Sequence, residues 1–174
     1  MAFRKYMKTL KGFISILIVT LVLALAAFSQ TVLTKLDGGK VDVEAHNGKV
    51  VVLAIGATWL PLSENEAVFT NILAKKYAAK NVVIYFVATD SLLPKSKNYA
   101  SNADVQKFAS EQKLGVTILR DPDGALTVKK FNLEQIPSFV ILDKQGNMSG
   151  SPFGGIDPKY DLTIPLSKAI DKLL

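Results

Sequence analysis

The chain has 174 residues, 49% of them hydrophobic and 21% charged, which suits one compact globular domain and excludes a disordered or low-complexity chain. Its formal charge is +6, but Arg4, Lys5, Lys8 and Lys11 supply four of those charges and residues 1–29 hold no acid, so residues 30–174 carry +2. The remaining lysines are interspersed with acids, without a basic stripe or interleaved aromatics, and nucleic acid is therefore not an expected partner.

The four N-terminal cations precede an apolar run of 16 residues, Phe13 to Phe28, interrupted by Ser15 and Thr20. This is the pattern of an export signal, and it falls short of the about 20 apolar residues that span a bilayer as a helix. Residues 1–29 are expected to be a signal peptide cut before Gln30, with Ala24 and Ala26 as an earlier option, or an N-terminal anchor tethering the chain through residues 13–28. Residues 30–174 then form the domain, outside the cytoplasm. The chain has no cysteine, so in an oxidising compartment it draws on no disulfide and must be stabilised by its core, for which its length is sufficient.

Thr31 to Leu36 and Lys40 to Glu44 read as a hairpin around Gly38-Gly39. Val50 to Ile55 is a continuous β-branched run after Asn47-Gly48, as expected of a strand buried on both faces. From Ser63 to Ala79, Ala67, Val68, Ile72, Leu73 and Tyr77 fall near helical spacing, with Lys75, Lys76 and Lys80 collected near the end. Asn81 to Ala88 is a second buried strand, so the two strands are expected to be parallel neighbours joined by a right-handed crossover. Asp104 to Leu114 is a second helix, capped by Ser101 or Asn102 and ended by Gly115. Thr117 to Leu119 is a short strand, Asp121 to Gly124 a turn, Ala125 to Phe131 a short helix, Ser138 to Leu142 a strand and Asp143 to Asn147 a turn. Tyr160 to Leu174 closes the chain as a helix starting near Pro165. The order of elements predicts an α/β domain.

Three stretches together resemble the TlpA/ResA-type thioredoxin-like proteins of the redoxin superfamily, which includes peroxiredoxins. The first is VVVLAIGATWLPLSENE at 50–66, similar to a strand followed by A-T-W-C-P-P-C-x-x-E. The second is DPDGALTVKKFNLEQIPSFVILDKQGN at 121–147, similar to the family's D-x-x-G turn, short helix and G-x-P-x-x-F-x-I-D-x-x-G hairpin. The third is Phe153-Gly154-Gly155, where the family has a glycine-containing turn. The resemblance implies a thioredoxin-like fold, a central mixed sheet flanked by helices with an N-terminal hairpin. It also implies a cis Ile136-Pro137 bond and a loop there that pairs with an extended substrate peptide, a form of strand addition. Leu60 and Ser63 stand at the positions of the redox cysteines, and Glu66 matches the family's glutamate beside them.

Disulfide exchange needs a thiolate to attack sulfur and a second thiol to resolve the mixed disulfide, so a chain without cysteine has neither that activity nor a peroxidatic one by itself. Ser63 lacks an identifiable base, because the single histidine, His46, lies in a loop beside Asn47-Gly48 and reads as a surface residue. Ser63 and Glu66 instead fit the S-x-x-E capping box, unless the helix starts at Pro61, and Glu66 reads as a first-turn acid. Asp121 and Asp123 read as a turn, since the other ligands of a calcium loop are missing. No metal or cofactor is expected.

Three functional readings follow. The first is a non-catalytic module that binds a peptide or protein through Trp59, Leu60, Leu62, Ile136, Pro137 and Phe153, where an exposed tryptophan and leucines at a helix start would form an apolar contact surface. The second is a redoxin-family oxidoreductase acting with a cysteine-bearing partner. The third is a structural subunit of a cell-envelope complex, in which case Leu60 and Leu62 would be buried.

Overall fold

The computed structural model describes residues 30–174; the expected signal or anchor lies outside them. The run VVVLAIG folds as β3 (Val50–Gly56), with all seven residues buried. Its alternation divides the interior, because Val50, Val52 and Ala54 enter one core and Val51, Leu53 and Ile55 the other. Each fully buried side chain of this size contributes about 1.5–3 kcal/mol. β3 pairs in parallel with β4 (Val82–Ala88), and β4 in parallel with β5 (Thr117–Arg120). On its other side β3 pairs antiparallel with β6 (Ser138–Leu142), and β6 with β7 (Phe153–Gly154). The N-terminal hairpin of β1 (Val32–Lys35) and β2 (Lys40–Asp42) joins antiparallel to β5. The mixed sheet thus runs β2-β1-β5-β4-β3-β6-β7. The expected α/β thioredoxin-like architecture is present, with the glycine turn at Phe153-Gly154 replaced by a two-residue edge strand.

Among the described residues, four α-helices flank the sheet: α1 (Leu62–Tyr77), α2 (Asn102–Glu111), α3 (Thr127–Lys130) and α4 (Thr163–Asp171). The core face of α1 differs from its expected apolar stripe. Ser63, Glu66, Ala67, Thr70, Leu73 and Tyr77 are buried, whereas Val68 and Ile72 are exposed. Polar residues thus occupy part of the inward face, and counting apolar residues alone misplaces it.

Helix ends agree with expectation at one cap and depart from it elsewhere. Ser101 caps α2 through a reciprocal capping box with Asp104. That helix stops at Glu111, and Lys113 rather than Gly115 takes the left-handed conformation, at φ 52°. The expected turn and short helix are a 3₁₀ turn at Pro122–Gly124 followed by α3. α4 begins two residues before Pro165; the first helical N–H groups have no intrahelical acceptor, so proline is tolerated there. Thr163 donates from both its backbone nitrogen and its hydroxyl to Asp161 Oδ1, fixing that start.

Candidate functional site

The site is built around Gly56, the last residue of β3. The β3/β6 register pairs Ile55 with Ser138, which places Pro137 across from Gly56. The Ile136-Pro137 bond is cis, as the resemblance implies. On the other neighbour, Thr89 donates from its backbone nitrogen and hydroxyl to Gly56 O at 2.8 and 2.9 Å. Above Gly56 lies the start of α1. A Cβ on Gly56 would lie 2.7 Å from Ser63 Oγ and would overlap the Glu66 carboxylate, so a side chain is excluded there by close approach.

The loop from Ala57 to Pro61 turns the chain into α1. Leu60 N donates to Ala57 O, Ser63 N to Leu60 O, and Ala57 N to Ser63 Oγ at 3.3 Å. This geometry corrects the expected capping box: α1 starts after Pro61, no side chain caps it, and Ser63 ties down the preceding strand instead. Glu66 is likewise no solvated first-turn acid. It is fully buried, and neither carboxylate oxygen has a hydrogen-bond partner among the described residues. Burial pushes its pKa well above the ordinary carboxylate range; the neighbouring Ser63 hydroxyl opposes this more weakly, without a hydrogen bond of acceptable geometry. Burial thus favours the protonated form of Glu66.

The remaining site residues divide by exposure. Trp59 is 52% exposed, while Leu60, Leu62 and Ile136 are half-buried. Pro137 and Ser63 are buried. Phe153 packs against the core cluster that contains Phe139, its partner across β6 and β7, and so serves chiefly that core. Ile136 packs in the same way on the core cluster of the other face, so Trp59, Leu60 and Leu62 are the members that neither core claims, with Ile136 and Phe153 half-buried beside them. Leu60 and Leu62 are neither fully buried, as in a purely structural subunit, nor fully exposed.

His46 lies at the surface with one face covered. It is half-buried and hydrogen-bonded to Tyr85 OH at 2.9 Å, and burial lowers its pKa. Tyr85 belongs to the core on one side of the sheet, whereas α1 packs on the core of the other side, so His46 cannot serve Ser63 as a base. The Asp121 carboxylate accepts from Leu126 N, Thr127 N and Thr127 Oγ1, which anchors the start of α3. Asp123 sits in the left-handed region at φ 59°. No cluster of three or more metal-ligating residues occurs among the described residues.

Sequence reasoning missed a buried polar network behind the site. Thr58 donates from its nitrogen and hydroxyl to Asp90 Oδ1 at 2.9 and 2.6 Å. Arg120 donates through Nη2 to Asp90 O and Ala100 O at 3.1 and 3.0 Å, joining the two ends of the 91–100 loop. Asp90 Oδ2 and the Nε and Nη1 of Arg120 have no partner among the described residues. Burial lowers the Arg120 pKa, with Asp90 and Tyr99 opposing. The available signal was a charge at the end of each apolar strand, in VATD and ILRD, including the sole arginine of residues 30–174. Three loops are thereby bound into one surface, since Ser91 Oγ also donates to Asp123 Oδ2.

The site offers no nucleophile. It holds no thiol, its serine is buried without a base, and its carboxyl is enclosed with its pKa raised by burial.

Comparison with known proteins agrees with this geometry. The thiol-disulfide oxidoreductase ResA of Bacillus thuringiensis subsp. konkukian is 26% identical over 117 residues, which is 67% of this chain and 62% of ResA. The chain thus spans less than two thirds of that relative's length. A secreted Mycobacterium tuberculosis disulfide oxidoreductase superposes with a TM-score of 0.63 at 25% identity, covering 83% of this chain and 96% of that one. A thioredoxin-like protein from Aeropyrum pernix gives 0.67 at 22% identity, covering 92% and 99%. Residues 25–150 match the model of the AhpC/TSA family, to which this chain belongs.

Proposed function

We propose that this chain is an exported, non-catalytic member of its family that binds an extended segment of a peptide or protein at the Gly56 end of the sheet. The observation that supports this most is the fate of the two redox positions. Leu60 is half-buried at the start of α1 and Ser63 is enclosed, so an apolar contact and a structural hydroxyl stand where the family has its sulfurs. The surrounding frame is kept: Pro137 is cis across from Gly56, and Trp59 remains half exposed beside Leu60. A large aromatic beside half-buried aliphatic side chains is a usual anchor for a binding partner. Export is supported by the cationic and apolar N-terminal pattern and by a secreted relative. Any thiol-disulfide reaction would require both sulfurs from a partner.

Photo-crosslinking and recovery from the exported fraction test the proposal, comparing the wild type with a Leu60→Asp, Ile136→Asp variant that retains its circular dichroism. Loss of specific partners in the variant is expected. Identical recovery from both proteins would overturn the binding surface.

A further inference from the structure

Charge is sorted between the two ends of the sheet, which the interspersed sequence conceals. β3, β4 and β5 begin, and β6 ends, at the end away from Gly56. Each of those connections carries a lysine: Lys49 before β3, Lys80 before β4, Lys113 before β5 and Lys144 after β6. α4 ends there too, with Lys172, because Tyr77 OH donates to Asp171 and Lys144 Nζ to the main-chain oxygen of Leu174. Acids lie there too, including exposed Asp37 in the β1–β2 turn and Glu111 at the end of α2, and the lysines outnumber them. Asp143 accepts N–H bonds within its own turn, and Asp171 lies 3.7 Å from Lys76 and 3.9 Å from Lys80.

The Gly56 end has the opposite balance. Its connections and helix starts carry exposed Glu64, Asp123, Glu134, Asp157 and Asp161, against Lys95, Lys97 and Lys159. A domain whose residues 30–174 carry only +2 is therefore polarised along the strand direction.

Two further features mark the basic end. An open groove of about 630 Å³ runs between α1 and α4 toward that end, from Ile164 near the start of α4 past Ile72 to Lys76, Lys168, Asp171 and Lys172, with the isoleucines 46% and 68% exposed. Lysines around exposed aliphatic side chains are the composition of an interfacial surface. Gln30, the first described residue, lines a cleft with Asp42, Glu44, Lys130 and Gln145 to Met148, the last four in the turn after β6 at this same end. Only Ser29 separates it from the apolar run ending at Phe28, and one residue spans at most about 3.6 Å.

We infer that the lysine-bearing end seats against an anionic phospholipid bilayer, leaving Trp59 and Leu60 turned to the aqueous phase. The occupant follows from the charge of this end and from the place where the apolar N-terminal run joins the domain. Basic residues beside a membrane segment are attracted to anionic headgroups within a Debye length of the surface.

The absence of cysteine makes the test direct. The full chain, carrying one spin label at Lys49→Cys or at Leu93→Cys, is reconstituted in phosphatidylcholine vesicles with and without phosphatidylglycerol. With phosphatidylglycerol, the label at 49 is expected to lose collisions with an aqueous relaxant while the label at 93 keeps them, and acrylamide quenching of Trp59 stays unchanged. Reversing Lys80, Lys144 and Lys172 to Glu in the Lys49→Cys chain, with circular dichroism preserved, should restore accessibility at 49. The inference is overturned if both labels stay equally accessible, if position 93 is protected instead, or if position 49 is protected equally without anionic lipid. Protection that requires an added acidic protein would likewise overturn it.

Discussion

Gly56 and Glu66 are fitted to each other: the Glu66 carboxyl occupies the space that any side chain at position 56 would need. Gly56→Ala is therefore expected to destabilise the domain by about 1–3 kcal/mol, the usual cost of overpacking. Combining it with Glu66→Ala should recover part of that loss, as expected for neighbours that share one space. Denaturant unfolding of the two single variants and the double variant measures the coupling, and strict additivity would separate the two residues.

The buried carboxyl also predicts a pH dependence. Because burial raises the Glu66 pKa in the folded state, the folded chain holds this proton through a range in which the unfolded chain has released it. The stability associated with the neutral acid is full below the ordinary carboxylate pKa and declines as pH rises toward the raised value. Glu66→Gln, which cannot ionise, should gain on the wild type progressively as pH rises above the ordinary carboxylate pKa toward that raised value. Parallel stability profiles for the two proteins would contradict this.

Arg120 holds both ends of the 91–100 loop through Asp90 O and Ala100 O. Its replacement by Met leaves those carbonyls without that donor and removes a cation beside Asp90. The backbone N–H groups of Ser91 and Ala100, which bond within the loop, should then exchange with solvent about tenfold faster, the equivalent of about 1.4 kcal/mol of local stability. Trypsin cleavage after Lys95 or Lys97 should accelerate in parallel. Unchanged exchange would show that the loop is held by its own hydrogen bonds.

Much of the fold is legible from the sequence because its central strands are written in unbroken apolar runs. VVVLAI and SFVIL are buried throughout, and no other placement would hide them from water. The site is legible less evenly. Motif resemblance identifies Leu60, Ser63, Glu66 and the cis Pro137, but local rules misread Ser63 and Glu66 as a capping box. The S-x-x-E spacing is compatible with either role, and what decides is Gly56, whose missing side chain lets the helix face sink onto the strand. Val68 and Ile72 mislead for the same reason, since polar Ser63, Glu66 and Thr70 take inward positions. The Thr58, Asp90 and Arg120 network joins residues separated by up to 62 positions on three chain segments, a proximity that only the parallel sheet creates.

The central claim is that the frame of a thiol-disulfide site survives at positions 60 and 63 while its chemistry is gone. The most direct measurement introduces Leu60→Cys and Ser63→Cys together and follows insulin reduction and thiol titration beside the wild type. The account predicts no turnover by the wild type above buffer, and in the double variant a reversible intramolecular disulfide with measurable turnover. In the single variants, the thiol at half-buried position 60 should be modified readily and the one at enclosed position 63 slowly. Robust turnover by the cysteine-free chain, or a folded double variant whose two thiols never pair under oxidising conditions, would contradict it.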